Sequence, residues 1–339
     1  MADYKGIKGF KVQSLASDPT ASASTAGQLW YNTTSNTLKV ALDGGAPIGT
    51  WASGGTKNTI MNDGAGAGTN TAGLAFGGAI PASPYVGTQT ETYNGTSWTE
   101  VNNLNTEVRS QSGTGSQTAA LSIAGGEAPN FTAGVEDYNG TSWTEVASLN
   151  LARGYNPGSS GTITAALCIG GKCDTPSPMT TTAAVEDYNG TCWTEVNALS
   201  AARYNGTGAG VQSSTLYAGG QNGSPTLTTN ESYDGTSWSE EAVLNTARNA
   251  LGGSGDTNTN VLVFGGVAAP GETVKTEAWN GTAWTEVADL AAPTADFSSS
   301  APGGGTSALK ASGNVNDVRS GATESWNADA YQIKTVTIS

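Results

Sequence analysis

Short apolar segments alternate with polar turns along the chain, and the same pattern returns about every 47 residues. Each copy has an apolar run that closes in glycines, a variable polar segment, and a string best seen at residues 136–146, Glu-Asp-Tyr-Asn-Gly-Thr-Ser-Trp-Thr-Glu-Val. The glycine pairs end at Gly78, Gly126, Gly171, Gly220 and Gly266. No helical periodicity extends over a long window. The pattern predicts an all-β repeat protein with four short strands per copy, which we label a to d.

A tryptophan near the end of each string marks the period. These residues are Trp98, Trp143, Trp193, Trp238 and Trp284, at spacings of 45, 50, 45 and 46 residues by subtraction. A sixth, degenerate copy carries Glu324, with Tyr331 in the tryptophan position. One four-stranded sheet cannot bury both of its faces, so neighbouring copies must pack on each other. We expect the five tryptophans and Tyr331 to fill the space between copies.

The turn before each tryptophan carries a strong hairpin signal. Asn139-Gly140 lies between two runs with strand character, and the other copies repeat it or substitute Asp-Gly. Asn-Gly is typical of a type I′ turn, in which both central residues have positive φ. We therefore predict a hairpin with a type I′ turn between strands c and d.

An apolar run ending in Gly-Gly, followed by an aromatic residue and a tryptophan at a period near 50, resembles the kelch repeat. The resemblance covers roughly residues 56–338 and implies a β-propeller with one four-stranded blade per repeat. We expect a six-bladed kelch-like β-propeller over residues 51–339. Two segments could complete the last blade, the one around Trp51 and the one from Tyr331 to Ile338.

Residues 1–50 do not follow the repeat, and we predict an attachment arm with a small β-hairpin over residues 27–40. This segment opens with Gly-Gln-Leu-Trp-Tyr-Asn and closes with Leu-Lys-Val. It resembles a motif of tail-fibre and related tail proteins of tailed bacteriophages. The resemblance implies a location in the virion tail after synthesis in the host cytoplasm, docking to other virion tail proteins through residues 1–45, and a homo-oligomer in the particle.

The charge of the chain limits its partners. The formal net charge is −14, and an acidic protein repels phosphate backbones, so we expect no nucleic-acid partner. No run of 18 apolar residues is present, so we expect no membrane insertion. The first residues lack the apolar segment of a signal peptide, which favours a protein used without export.

The residue types for catalysis are scarce. The chain contains no histidine, the commonest general base and metal ligand. Most carboxylates recur once per repeat, as scaffold residues do. We therefore expect no enzyme activity, no catalytic residue, no metal and no cofactor. Cys168, Cys173 and Cys192 all lie in one repeat, and unpaired thiols are the simpler interpretation, although pairing stays open.

Four of the five arginines, Arg109, Arg153, Arg203 and Arg248, fall at what we take to be the same repeat position. We predict a structural ion pair to a repeat carboxylate such as Glu136 or Glu145. A ring of arginines that grips an anionic ligand is the alternative. Met61 and Thr294 occupy this position in the other two copies, which weakens that alternative.

The segments between strands b and c differ in every copy, and variable loops carry function on a repeated scaffold. Their Tyr85, Phe131 and Met179 are the candidate contacts to a host-surface glycan or a protein receptor. Together with the resemblance of residues 27–40 to phage tail proteins, these features predict a non-enzymatic virion structural protein. A bacterial surface or secreted carbohydrate-binding propeller is the first alternative, and a glycan-active hydrolase is the second.

Overall fold

The computed structural model describes residues 12–19, 28–81, 85–127, 131–174, 179–223, 226–299 and 304–336. It divides into two compact units, which are described separately below. One unit is Gly49–Ala328, and the other is Met1–Ile48 together with Asp329–Ser339.

Five repeats fold as four-stranded antiparallel sheets in the order a-b-c-d. Strand b is mostly apolar, and it is buried along its whole length in sheet I and from its second residue onward in sheets II to V, because it pairs on both edges and packs on both faces. Sheet I has strands Ala65–Gly68, Gly73–Phe76, Thr90–Tyr93 and Trp98–Val101, and sheet II has Ser112–Ser116, Ala119–Ile123, Val135–Tyr138 and Trp143–Val146. Sheet III has Gly158–Thr162, Ala165–Ile169, Val185–Tyr188 and Trp193–Val196, and sheet IV has Thr207–Val211, Ser214–Ala218, Asn230–Tyr233 and Trp238–Glu240. Sheet V has Gly252–Thr257, Asn260–Phe264, Thr276–Trp279 and Trp284–Glu286.

Sheet VI is completed by a strand from the beginning of the chain. Its strands a to c are Ser298–Ser299, Ser307–Ala311 and Thr323–Thr335, and the long strand Thr37–Ser53 lies next to the last of these. Within the unit Gly49–Ala328, the amide of Gly54 donates to the carbonyl of Thr323 at 2.8 Å. The segment around Trp51 therefore provides strand d. Tyr331, the other candidate for the tryptophan position, has a side chain outside the described residues.

Short elements lie in the connections between strands of the same sheet. Two-stranded ribbons lie in the b-to-c segments of sheets III, V and VI: Lys172–Cys173 with Thr180–Thr181, Val267–Ala268 with Gly271–Glu272, and Asn314–Val315 with Val318–Arg319. A 3₁₀ turn covers Gly304–Thr306. No helix of the described residues is long and apolar enough to cross a membrane.

A closed ring of backbone contacts joins the crossovers that lead from each strand d into the next strand a. One residue per crossover has a positive φ between 47° and 55°: Asp63, Ser110, Asn156, Asn205, Ala250 and Asp296. Their amides donate from one crossover to the preceding one, and the Asp63 amide closes the circle on the carbonyl of Asp296 at 2.8 Å. The sheets therefore close around a common axis, and the prediction of an all-β propeller is confirmed.

The tryptophan of each strand d ties its sheet to the preceding one. The Trp143 ring packs on Phe76 with ring centroids 4.8 Å apart, and its Nε1 donates to Thr90 Oγ1 of sheet I at 3.1 Å. The same indole donation runs from Trp98 to Thr323, Trp193 to Ala147, Trp238 to Asn197, Trp284 to Ala242, and Trp51 to Thr276. A buried indole removes about 150–250 Å² from water, worth at most about 4–6 kcal/mol. Trp51, rather than a residue late in the chain, thus joins sheet VI to sheet V.

The predicted type I′ turn is wrong. Tyr138 pairs with Trp143, so four residues connect strands c and d in sheet II. Gly140 has a φ of 88°, but Asn139 does not have a positive φ. The Asn139 side-chain oxygen instead accepts from the amides of Thr141 and Ser142, both at 2.9 Å. This side-chain turn needs only one left-handed residue, and it is a known alternative use of Asn in turns.

The second unit contains the predicted N-terminal hairpin. Leu29–Asn32 pairs antiparallel with the start of Thr37–Ser53, and Gln13–Leu15 adds a parallel strand. Trp30 is 2% exposed, and its Nε1 donates to Asp18 at 2.9 Å. Residues 1–11 and 20–27 of the predicted arm lie outside the described residues.

Candidate binding face

The b-to-c segments and the d-to-a crossovers end at the same side of an antiparallel meander, because each strand reverses the direction of the last. This side is the candidate binding face. Of the three side chains predicted to bind there, Tyr85 is 53% exposed, Met179 is 38% exposed, and Phe131 is half-buried. Phe131 joins a cluster of aromatic rings, whereas no described ring contact connects Tyr85 to it.

The cluster, here named the aromatic ledge, consists of Phe131, Tyr155, Tyr204 and Lys172. Tyr155 has ring centroids 5.9 Å from both Phe131 and Tyr204. The Lys172 ammonium lies 4.7 Å from the Tyr155 ring and 4.2 Å from the Tyr204 ring. Such cation–π contacts hold a cation against aromatic faces. Phe131, Tyr155 and Lys172 are half-buried, whereas Tyr204 is only 6% exposed and supports the other rings from inside. The ledge therefore combines partly exposed aromatic faces with a positive charge, in a chain that is otherwise strongly acidic.

Sequence reasoning missed Tyr155 and Tyr204 because it looked for variable residues in the b-to-c loops only. Both tyrosines lie in crossovers, two and one residues after a repeat arginine. Each directly precedes a residue of the backbone ring, Asn156 or Asn205, so the left-handed turn at the axis positions the phenol rings. Aromatic residues at this point in sheets III and IV alone were the available signal.

Two carboxyl groups lie at the axis beside the ledge. Asp63 and Asp296 line a small cavity of about 80 Å³ together with Gln111, Asn156 and Asn205. Burial, and then the charge of Asp296, raise the pKa of Asp63 to about 8. Burial likewise raises the pKa of Asp296, to about 6, while a hydrogen bond from Asn314 opposes the rise. Burial and a like charge both favour the neutral form of a carboxyl group, so Asp63 holds its proton more strongly than an exposed aspartate does.

Three of the predicted arginines form buried ion pairs with the glutamate of strand c in their own sheet. The pairs are Arg153 with Glu186, Arg203 with Glu231 at 2.7 Å, and Arg248 with Glu277. All six side chains are at most 2% exposed. Buried guanidinium groups are not accessible to an anionic ligand, which argues against the alternative of an anion-binding ring of arginines. These ion pairs connect the crossover to strand c.

The assignment of Arg109 to this set is wrong by one residue. The carbonyl of Val108 accepts from Gly78, as that of Arg153 accepts from Gly125, so Val108 occupies the arginine position in sheet II. Arg109 instead pairs with Glu127 at 2.8 Å, and both side chains are about one-third exposed. The glycine pair of sheet II is also displaced by one residue. The structure uses Ala124 and Gly125 in place of Gly125 and Gly126, and Ala124 has the positive φ of the first position, 58°.

In sheets I and VI, a lysine from another position is the cation nearest the strand c glutamate. Lys57 pairs with Glu91 at 2.9 Å in sheet I, and Lys310 lies 4.0 Å from Glu324 in sheet VI. Burial lowers the pKa of both lysines, and the neighbouring glutamate opposes that shift. Each buried glutamate also accepts backbone amides, for example Asn58 and Thr59 to Glu91 at 2.9 and 2.8 Å.

No disulfide joins Cys168, Cys173 and Cys192 in the structure. Cys168 and Cys173 are buried and Cys192 is exposed, and burial raises the pKa of Cys168 to about 11. Among the described residues, no group of three or more cysteine, aspartate or glutamate side chains is placed to hold a metal ion.

Comparison with known proteins defines the fold class. No protein-family model matches the sequence, and no curated protein does. Among solved structures, the chain is similar to the structure of YjhT, with a TM-score of 0.64 and 12% sequence identity over 80% of this chain and 95% of that chain. YjhT has a β-propeller-like fold. The chain is therefore a β-propeller protein, and the likeness at this identity concerns the fold alone.

Proposed function

We propose that the protein is a non-enzymatic structural component of a tailed-bacteriophage virion, in the tail or its fibres. Its N-terminal arm, residues 1–45, would dock to other tail proteins. The propeller would present its candidate binding face to a glycan or protein on the host surface, or to neighbouring parts of the particle.

The aromatic ledge is the observation that carries this proposal. Tyr155 and Tyr204 hold Lys172 between them, and Phe131 extends the aromatic surface toward a variable loop. Aromatic faces suit the apolar faces of sugar rings, and a lysine suits the acidic groups common in bacterial surface polysaccharides. The closed backbone ring and the buried ion pairs fix the ledge on a rigid frame, which lowers the entropy lost on binding.

The N-terminal unit supports the virion part of the proposal. The Leu-Trp-Tyr-Asn strand that resembles tail proteins is a built element, since Asp18 accepts from Trp30 and from Asn32 at 2.9 and 2.6 Å. A folded hairpin outside the repeats is suited to docking.

A carbohydrate-binding propeller of the bacterial surface is the second candidate, because the same ledge would serve it. A glycan-active hydrolase is less well supported. Asp63 and Asp296 have raised pKa values, as acid catalysts do, but their cavity of about 80 Å³ is too small for a sugar ring.

Mass spectrometry of purified virus particles tests the virion assignment. The proposal predicts the chain in the particle at a fixed copy number, and loss of the chain from particles when residues 1–45 are deleted. Particles that lack the chain, with the protein found instead at the bacterial surface, would favour the second candidate.

A further inference from the structure

Sheet II differs from sheets III, IV and V at one buried position, and a cavity lies beside that position. Val108 stands where sheets III, IV and V carry Arg153, Arg203 and Arg248. A cavity of about 410 Å³, here named the sheet II cavity, lies beside it and reaches Glu136. Its volume exceeds that of an arginine side chain several times, so it can admit a ligand together with water.

The cavity is lined by the equivalents of the acceptors that an arginine satisfies in sheets III and V. In sheet III, Arg153 pairs with Glu186 and donates from Nη1 to the carbonyls of Gly170 and Ala184 at 3.3 and 2.7 Å. In sheet V, Arg248 makes the same set of contacts, to Glu277, Gly265 and Lys275.

The equivalent acceptors in sheet II are Glu136, Ala124 and Gly134. The Ala124 amide donates to the Gly134 carbonyl at 2.9 Å, as the Gly170 amide donates to Ala184 at 3.0 Å. All three residues line the sheet II cavity. The backbone that cradles a guanidinium in sheet III is therefore repeated here.

Glu136 is a buried carboxylate without a described cation. It is 6% exposed and accepts from the amides of Asn105 and Thr106 at 2.8 and 2.9 Å. No lysine or arginine among the described residues pairs with it, whereas the strand c glutamates of the other five sheets each have a cation within 4.0 Å. A buried carboxylate gains most from a partner that brings both charge and hydrogen bonds.

From this pattern we infer that the sheet II cavity binds a guanidinium group. The group would pair with Glu136 and donate to the carbonyls of Ala124 and Gly134. Exposed Glu145 lines the same cavity and favours the approach of a cation. A planar guanidinium fits this set better than an ammonium, because its donors form a fixed fork. The site is independent of the aromatic ledge and of the proposed function.

Isothermal titration of the full-length protein with methylguanidinium tests the inference. We expect saturable binding of one equivalent, and at least tenfold weaker binding of methylammonium. Glu136→Gln should weaken methylguanidinium binding at least tenfold. Glu100→Gln, at the position in sheet I that matches Glu145, is the control and should leave binding unchanged.

Val108→Arg provides an independent variant. The new side chain should fill the cavity, abolish methylguanidinium binding and raise the melting temperature, as expected for an added buried pair. Two sources of the group are separated with a capped Gly-Arg-Gly peptide: binding of the peptide indicates an arginine of a partner protein, and binding of methylguanidinium alone indicates a small guanidino compound. Absence of saturable binding by both probes would overturn the inference, as would undiminished binding in Glu136→Gln.

Discussion

Replacement of Arg153 by methionine removes one partner of a buried ion pair and keeps most of the side-chain volume. Arg153 is fully buried, and Glu186 is 2% exposed. The substitution takes one charge-assisted hydrogen bond from Glu186 and leaves the carbonyls of Gly170 and Ala184 without a side-chain donor. Breaking a buried pair in this way costs about 3–5 kcal/mol.

The remaining contacts of Glu186 place the expected cost at the lower end of that range. Its carboxylate still accepts from the Asn150 amide and side chain at 2.7 and 2.8 Å and from the Leu151 amide at 3.2 Å. Sheet II keeps a similar arrangement with Val108 in place of arginine. We therefore expect Arg153→Met to lower the free energy of unfolding by about 3 kcal/mol.

Urea denaturation followed by tryptophan fluorescence measures this loss. The double variant with Glu186→Gln should cost less than the sum of the single changes, with a coupling of about 1.5–2 kcal/mol, because the second change removes the unpaired charge. Arg109→Met is the matched control: its pair with Glu127 is about one-third exposed, so its loss should cost under about 1 kcal/mol. Equal costs for Arg153→Met and Arg109→Met, or full additivity with Glu186→Gln, would refute the reasoning.

Three further predictions concern the strand that closes sheet VI, the buried Asp63 at the axis, and the tryptophan contacts between sheets. Deletion of residues 1–48 should leave the propeller folded, whereas deletion of residues 1–53 should lower its melting temperature sharply, because the second removes strand d of sheet VI and Trp51; similar melting curves by circular dichroism would contradict this. The raised pKa of Asp63 means that the folded state keeps a proton that the unfolded chain releases between about pH 4 and pH 8, so stability falls as pH rises through this range. The free energy of unfolding of Asp63→Asn, measured relative to the wild-type protein in urea titrations, should therefore rise by roughly 1–3 kcal/mol between pH 4.5 and pH 8. A difference that does not change with pH would refute the raised pKa of Asp63. Trp143→Phe should lower the free energy of unfolding by about 1–3 kcal/mol, because the indole bond to Thr90 and part of the buried area are lost, and urea titration should give a far smaller value for half-buried Trp238→Phe.

The repeat could be read from the sequence because one physical requirement recurs in every copy. A tryptophan must fill the space to the preceding sheet, and a glutamate must anchor the crossover, so Trp143 and Glu136 have equivalents at a fixed spacing. The fold class followed from this periodicity. The alternative with Trp51 as the closing strand was visible as well, because Trp51 lies as far before Met61 as Trp143 lies before Arg153.

Two predictions were wrong, the place of Arg109 in the buried set and the type of the hairpin turn. Both depend on the position of a single residue. Val108 and Arg109 are adjacent, and the sequence shows an arginine near the repeat position in four copies. Only the backbone bond from Gly78 to the Val108 carbonyl reveals which of the two residues faces Glu136. The turn type failed for a similar reason, since the Asn139 side chain replaces a backbone contact that the pattern could not exclude.

The candidate site was only partly predictable. Phe131 was found as an aromatic in a variable loop, but the ledge also needs Tyr155, Tyr204 and Lys172, which come from other repeats. These residues meet only because the ring brings neighbouring crossovers together around the axis. The sequence shows aromatic residues at the crossover position of sheets III and IV, but not that they contact each other, Phe131 and Lys172.

Binding of host-surface polysaccharide by the purified protein tests the central claim most directly. The wild-type protein should bind in isothermal titration, and Phe131→Ala combined with Tyr155→Ala should weaken binding at least tenfold while circular dichroism shows that the variant stays folded. Val211→Ala, on the opposite side of sheet IV and 43% exposed, is the control and should bind as the wild-type protein does. Undiminished binding in the double variant, or equal loss in the control, would show that the aromatic ledge is not the binding face.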